Sequence, residues 1–190
     1  AFGTIGPQTY TVTVTTPSST VNNIWVVVAS SQSTAAPSVG YTGLLANRKY
    51  RLNFNLVQNA SAGRIRVRFG TGSGALSTSS YNYANSGNNN AGAVISSGTL
   101  TDSCVITAYD TVAVGQPIYG DFSFVHSSTA TSVVLGNHHV LYANGVSNYE
   151  NEYGHCIFGG SAAVTEVHIL VGAGSFTGYT YLEQMIVPLP

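Results

Sequence analysis

Two segments with a period of two residues, Lys49–Val57 and Arg64–Phe69, constrain the fold of this chain more than any other feature. Their apolar positions are Tyr50, Leu52, Phe54 and Leu56 in the first segment and Ile65, Val67 and Phe69 in the second. Strict alternation is typical of β-strands that bury one face and expose the other. Because the intervening Gln58–Gly63 is rich in turn formers, we predict two strands joined by a short turn.

The other segments have the same short, β-branched character, and no window has a 3.6-residue period of helical length. Further strands are predicted at Thr9–Thr15, Ile24–Ala29, Ala93–Ser96, Cys104–Tyr109, Ile118–His126, Ser132–Tyr142, Gly154–Phe158, Val164–Val171 and Tyr179–Val187, with a short one at Ser79–Tyr83 and a loop at Ser86–Asn90. This pattern predicts one all-β domain over residues 1–190, an antiparallel two-sheet sandwich of jelly-roll kind. Residues 1–20 would form an N-terminal arm and the first strand.

One predicted strand, Ile24–Ala29, is continuously apolar rather than alternating. Such runs are typical of strands buried on both faces. We therefore expect Ile24–Ala29 either in the interior of a sheet or beneath a partner subunit.

Charged residues make up only 7% of the chain, and the net charge is −1, whereas charged residues are about 25% of an average soluble domain. Little repulsion would keep copies apart, which suits a protein that works inside an assembly. Nucleic acid is not expected as a partner, because phosphate binding needs a basic surplus. No membrane insertion is expected either, since no apolar run approaches the ~20 residues that cross a bilayer.

The few charges are unevenly distributed: all six basic residues lie between Arg48 and Arg68, and all seven acidic residues lie in the second half. If the two central strands pair, neighbouring arginines about 5–8 Å apart share one solvent face; these would be Arg51, Arg64, Arg66 and Arg68. Like charges at that spacing repel and need partners. We consider two interpretations, salt bridges within the chain or between subunits, and an anion-binding face for an acidic polysaccharide.

The histidines and cysteines do not form a metal-binding motif. No spacing matches a zinc site, and adjacent His138 and His139 on a strand would point to opposite faces. We expect no metal and no cofactor, although three copies could share a site on a threefold axis. Cys104 and Cys156 are the only cysteines, and we expect two buried, reduced thiols, with one bridge as the alternative.

Enzyme activity is not expected. No Gly-x-Ser-x-Gly elbow lies between a strand and a helix. Glu150 and Glu152 offer two carboxylates in a loop-like context, but glycosidases usually place their two acids across a sugar from different elements. A glycoside hydrolase therefore ranks third among the functions considered.

Tyrosines surrounded by Asn, Gly and Ser are the remaining candidates for a site. Tyrosine provides flat amphipathic surface at low entropy cost, as binding loops commonly use. The candidate binding residues for a glycan or a protein are Tyr81, Tyr83, Tyr149 and Tyr153. The alternative is that these tyrosines fill sheet edges and subunit contacts.

The order of these strands and loops supports a resemblance. It consists of Tyr50-Arg51-Leu52-Asn53-Phe54, Ile65-Arg66-Val67-Arg68-Phe69, a Gly/Ser loop, Tyr81-Asn82-Tyr83, the strand Val164–Val171 and Gly178-Tyr179-Thr180-Tyr181-Leu182. Over residues 44–183 the chain resembles the virion proteins of tailed double-stranded DNA phages found in fibre tips, capsid decoration and head fibres. The resemblance implies a jelly-roll sandwich, often trimeric and without catalytic residues, and it defines no functional residue.

We therefore predict a non-enzymatic structural protein of a virion, either a capsid decoration or a fibre-type subunit. It would assemble as a homo-oligomer, with a trimer expected, and contact other virion proteins. The alternative is a glycan- or receptor-binding module at a fibre tip, with a host surface glycan as its partner.

Overall fold

The computed structural model describes residues 24–72, 74–76, 80–89, 92–107, 112–126, 133–144, 149–160 and 163–186. These residues form strands and no helix, and among them no segment combines helical structure with the length and hydropathy of a membrane span. The strands are β1 (Ile24–Ala36), β2 (Ser38–Thr42), β3 (Lys49–Gln58), β4 (Ile65–Gly70), β5 (Tyr81–Asn89), β6 (Gly92–Thr101), β7 (Cys104–Val105), β8 (Pro117–His126), β9 (Val134–Ala143), β10 (Tyr149–Phe158), β11 (Glu166–Val171) and β12 (Phe176–Ile186). The predicted arm and the strand Thr9–Thr15 lie outside the described residues.

The strands form two sheets. The large sheet has eight strands in the order β1-β12-β3-β8-β9-β10-β5-β6, and the small sheet has four in the order β2-β11-β4-β7. The pairings between named strands are antiparallel. The apolar inner faces of both sheets contribute to one buried core. The predicted all-β, two-sheet antiparallel sandwich is therefore confirmed, while its jelly-roll class stays a prediction.

The two central strands exist with the predicted faces, but they are not neighbours. β3 pairs with β12 and β8 in the large sheet, and β4 pairs with β11 and β7 in the small sheet. The connection crosses from one sheet to the other, and along it the Gly63 N–H donates to the Val112 carbonyl at 3.3 Å. The side-by-side pairing on which the shared arginine face depended does not occur, and the apolar faces of β3 and β4 contribute to the core from different sheets.

Phe69 of β4 lies at the centre of this core. Its ring centroid is 5.3 Å from that of Phe124, 5.7 Å from that of Phe158 and 6.2 Å from that of Phe122. All three partner rings come from the large sheet. Aromatic pairs at these distances add about 0.5–1.5 kcal/mol each beyond their buried area, so this cluster is a main contact between the sheets.

A disulfide between Cys104 of β7 and Cys156 of β10 also joins the two sheets. Both residues are buried, as expected. The expectation that their thiols are reduced is wrong, because the two residues form a disulfide. The residues are 52 positions apart in sequence but face each other across the sandwich, with a Cα–Cα distance of 5.8 Å.

Several predicted loops are strands instead. Ser86–Asn89 continues β5, and Glu150–Glu152 lies in β10. Residues 30–41, which no predicted strand included, form most of β1 and β2. Conversely, the strand predicted at Cys104–Tyr109 is described only as the short β7. Polar residues in these strands occupy the outer face of a sheet or its edge, or are buried as Glu150 and Glu152 are, so low apolar content did not indicate a loop.

Candidate functional site

Two of the four candidate binding tyrosines are part of the core. Tyr81 and Tyr83 are buried, and the Tyr81 hydroxyl accepts a hydrogen bond from the Phe69 N–H at 2.9 Å. It also donates to the Leu76 carbonyl at 3.1 Å. Burial raises the pKa of Tyr81 to about 12. The prediction that Tyr81 and Tyr83 bind a ligand at a loop tip is wrong, because both side chains point into the sandwich.

The other two candidates, Tyr149 and Tyr153, are exposed on the outer face of the large sheet. The Tyr153 ring stacks on the His139 imidazole, with 4.5 Å between centroids and 3° between planes. Asn151 connects the two rings, since its Nδ2 donates to the Tyr153 hydroxyl at 3.0 Å and its Oδ1 lies 2.9 Å from His139 Nε2. These contacts fix a flat aromatic surface next to polar groups.

The arginines do not form one anion-binding face, because β3 and β4 belong to different sheets. Arg51 faces outward from the large sheet, and its Nε lies 2.7 Å from Glu183 Oε2. Arg66 and Arg68 face outward from the small sheet, and both pair with Asp102. These pairs confirm salt bridges within the chain for Arg51, Arg66 and Arg68; Arg64 precedes β4 and is half-buried.

The charges of these arginines affect Asp102 directly. Burial opposes ionisation of this carboxyl, but the hydrogen bond from Ser103 and the charges of Arg68 and Arg66 hold the pKa of Asp102 below its usual range. Arg51 has a second contact, with its Cζ 4.5 Å from the centroid of the Trp25 ring. A guanidinium that both stacks and pairs with a carboxylate is less available to an anionic ligand.

The candidate carboxylate pair lies inside the sandwich. Glu150 and Glu152 are each 1% exposed. Glu152 accepts hydrogen bonds from Asn85 Nδ2 at 3.0 Å and from the Tyr142 hydroxyl. Both carboxylates come from β10 and are buried, so they are not placed on opposite sides of a bound sugar as the two acids of a glycosidase usually are.

His138 and His139 lie on opposite faces of β9, as predicted. His138 is 4% exposed, and neither of its ring nitrogens has a hydrogen-bond partner in the part of the chain that the structure describes. Burial, with smaller contributions from His155 and His139, lowers the pKa of His138 to about 3. The ring is therefore neutral near pH 7. Among the described residues, no group of three or more His, Cys, Asp or Glu is arranged to hold a metal ion.

The apolar strand Ile24–Ala29 is the first half of β1, an edge strand that pairs only with β12 among the described strands. Its register with β12 shifts between Val27 and Ala29, which makes Val28 the extra residue of a β-bulge. Because of the bulge, Val27 and Val28 are both about half exposed, at 54% and 49%. The expectation of an interior strand is wrong, whereas cover by a partner subunit stays a prediction.

Four exposed apolar side chains lie near the bulge, on both faces of this edge of the sheet, and we call this group the apolar corner. It consists of Ile24, Val27 and Val28 of β1 and Ile186 of β12. Ile24 and Ile186 are cross-strand partners and are each 44% exposed. Trp25, the next residue of β1, lies on the opposite face from Ile24, with the Lys49 ammonium 5.7 Å from its ring centroid.

A second surface lies on the outer face of the large sheet, near the start of β8 and β10. One transverse row of cross-strand partners, which we call the tyrosine row, consists of Tyr179, Asn55, Tyr119, Leu141 and Asn151. A pocket of about 140 Å³ opens beside it, lined in part by Pro117, Tyr119, Leu141 and Tyr149. Sequence reasoning singled out Tyr149 but missed Tyr119, although the alternation of β8 places Tyr119 opposite the buried Ile118 and Phe122.

Comparisons with known proteins add no identification: no protein-family model, no curated protein and no solved structure matches the chain.

Proposed function

We propose that the chain is a non-enzymatic structural subunit that works by associating with further copies of itself. The observation that carries this proposal is the position of Ile24–Ala29, a continuously apolar strand at the edge of the large sheet as its described strands form it. Long apolar edge strands are a liability for a lone soluble protein. A second copy that covers the apolar corner removes that liability.

The physical chemistry of the apolar corner favours contact between side chains. Burying apolar surface contributes about 25 cal/mol per Å², and the four side chains of the corner lie near the same end of the paired strands β1 and β12. The bulge at Val28 twists the edge away from direct strand pairing. With a net charge of −1, little repulsion opposes the approach of a second copy. A stable contact of standard size buries about 1,600 Å² in all.

The assembly that we propose is a virus particle, in which the chain would be a capsid decoration or fibre-type subunit. The resemblance to virion proteins of tailed phages supports this, and so does the Cys104–Cys156 disulfide. Disulfides persist in oxidising surroundings such as the surface of a virion and are rare in reducing cytosol. The expected partners are two further copies in a trimer and other proteins of the particle.

Sedimentation velocity and light scattering on the full chain test the self-association. The expected result is one defined oligomer at micromolar concentration that persists on dilution. A monomer across the micromolar range would overturn the proposal of self-association. Antibody labelling of intact particles tests the virion placement separately, since a chain that oligomerises but is absent from particles keeps the first proposal and removes the second.

A further inference from the structure

The tyrosine row and its pocket form a built surface that self-association at the apolar corner does not use. Leu135 and Leu141 both face outward from β9, and they are six residues apart, which corresponds to about 20 Å along a strand. The apolar end of the outer face, around Leu135, Val125 and Ile157, is thus distant from the pocket. Any ligand of the pocket meets a different set of side chains from a partner at the apolar corner.

The pocket has the dimensions of one sugar ring rather than of a protein side-chain cluster. Its volume is about 140 Å³, below the range of about 300–1,000 Å³ that is usual for drug-sized ligands. Tyr119 and Tyr149 border it and are 48% and 63% exposed. Exposed aromatic rings offer flat apolar area, and the lining of the pocket is almost entirely apolar. Such a surface matches the apolar C–H face of a pyranose.

The tyrosine row extends this chemistry across five strands. Tyr179, Tyr119 and Leu141 supply apolar surface, and Asn55 and Asn151 supply amide donors and acceptors between and beside them. Neighbouring strands lie about 4.8 Å apart, so the row is about 19 Å long, which exceeds one sugar ring. An extended chain of several sugars fits this geometry.

Charge decides the class of saccharide. None of the five side chains of the tyrosine row is charged, and the one acidic or basic side chain that lines the pocket is Glu150, whose carboxylate would repel an anionic sugar. Arginines, which would recognise carboxylate or sulfate groups, lie elsewhere: Arg51 pairs with Glu183, and Arg66 and Arg68 lie on the small sheet. The surface therefore selects against an acidic polysaccharide.

We propose that the outer face of the large sheet binds a neutral oligosaccharide, with one ring in the pocket between Tyr119 and Tyr149 and the following rings along the row toward Tyr179. A second copy of the chain is the competing occupant. The amide of Asn55 favours the sugar, because this exposed side chain would need a matched partner in a protein contact, whereas sugar hydroxyls can both donate to and accept from an amide.

Isothermal titration of the full chain tests the proposal with four neutral probes, maltohexaose, cellohexaose, laminarihexaose and chitohexaose, and with a polygalacturonate hexamer as the anionic comparison. We expect at least one neutral probe to bind and the anionic probe to bind more weakly. Tyr119→Ala or Tyr149→Ala should weaken binding about tenfold or more. Loss of an aromatic side chain that stacks on a nucleic-acid base has an effect of this size. Tyr149→Phe should retain most of the affinity.

The matched control is the pair Leu141→Asn and Leu135→Asn, two exposed leucines on one strand and one face. The first should weaken binding, and the second should not. Binding of none of the four neutral probes at millimolar concentration would overturn the proposal, as would equal affinity for Tyr119→Ala and the native chain. If Tyr119→Ala instead dissociates the oligomer, the surface is a contact between copies and the saccharide proposal is wrong.

Discussion

The imidazole of His168 on β11 lies across the backbone of Gly40 on β2. A Cβ built at position 40 would lie 2.4 Å from His168 Nδ1 and 2.5 Å from Cε1. The ring is held in this position from its other side, because His168 Nε2 lies 2.8 Å from Glu166 Oε2. Glycine at position 40 therefore allows the histidine–carboxylate pair to lie flat on the outer face of the small sheet.

Gly40→Ala should destabilise the protein by about 1–3 kcal/mol, because the added methyl group displaces the His168 ring from Glu166. Urea unfolding measures the change. Gly159→Ala is the matched control and should be close to neutral, since a Cβ there would meet nothing within 4 Å. In a His168→Ala background, Gly40→Ala should lose most of its cost. An equal cost in both backgrounds would show that the strain does not come from the ring.

Removal of the disulfide should lower the free energy of unfolding more than Gly40→Ala does. Closing a loop of 52 residues is worth about 4 kcal/mol by loss of entropy in the unfolded chain. Cys104→Ala with Cys156→Ala should lower the free energy of unfolding by about 2–5 kcal/mol, measured in urea. A reductant should lower the stability of the native chain and leave that of the double variant unchanged. A native chain that is insensitive to reductant after full reduction, checked by alkylation and mass spectrometry, would contradict this prediction.

The alternation of side chains predicted which faces are buried. In β3 and β4 each apolar position of the pattern is in the core, and His138 and His139 occupy opposite faces of β9 as expected. This works because a strand has only two faces, and the hydrophobic effect assigns them locally. No knowledge of neighbouring strands is needed.

The neighbours of each strand could not be predicted in the same way. A period of two fixes the buried side of β3 and β4 but is identical whether the strands lie side by side or meet across a core. For the same reason, the pattern could not predict that Cys104 and Cys156 face each other. Likewise, the apolar run of β1 does not distinguish an interior strand from an exposed edge, and the tyrosine row exists only once five strands are in register.

Acid should destabilise the protein through His138. Its pKa is lowered to about 3 in the folded chain, whereas an unfolded histidine takes up a proton near pH 6.5. Between these values the unfolded state binds more protons, so the free energy of unfolding falls as the pH falls from about 6.5 toward 3. His138→Leu removes this linkage and should flatten the decline between roughly pH 7 and pH 4.5 in urea unfolding.

His139→Leu is the matched control for that measurement. It removes the neighbouring imidazole from the outer face of β9 and leaves His138 buried, so the acid-dependent decline should persist. If His138→Leu declines as steeply as the native chain, the buried imidazole is not the group that couples stability to pH in this range.

A single charge introduced into the apolar corner should weaken self-association. Val28→Asp places a carboxylate where a second copy is proposed to bind, and an unpaired charge buried at a contact is costly. We expect the dissociation constant of the oligomer to rise at least about tenfold, equivalent to about 1.4 kcal/mol, as measured by sedimentation equilibrium. Val114→Asp is the matched control, because Val114 is 47% exposed against 49% for Val28 and precedes β8, outside the corner. Val28→Asp should leave the unfolding midpoint of the isolated chain nearly unchanged, since position 28 is already open to solvent. Equal weakening by both substitutions would mean that added charge acts generally and that β1 is not the contact.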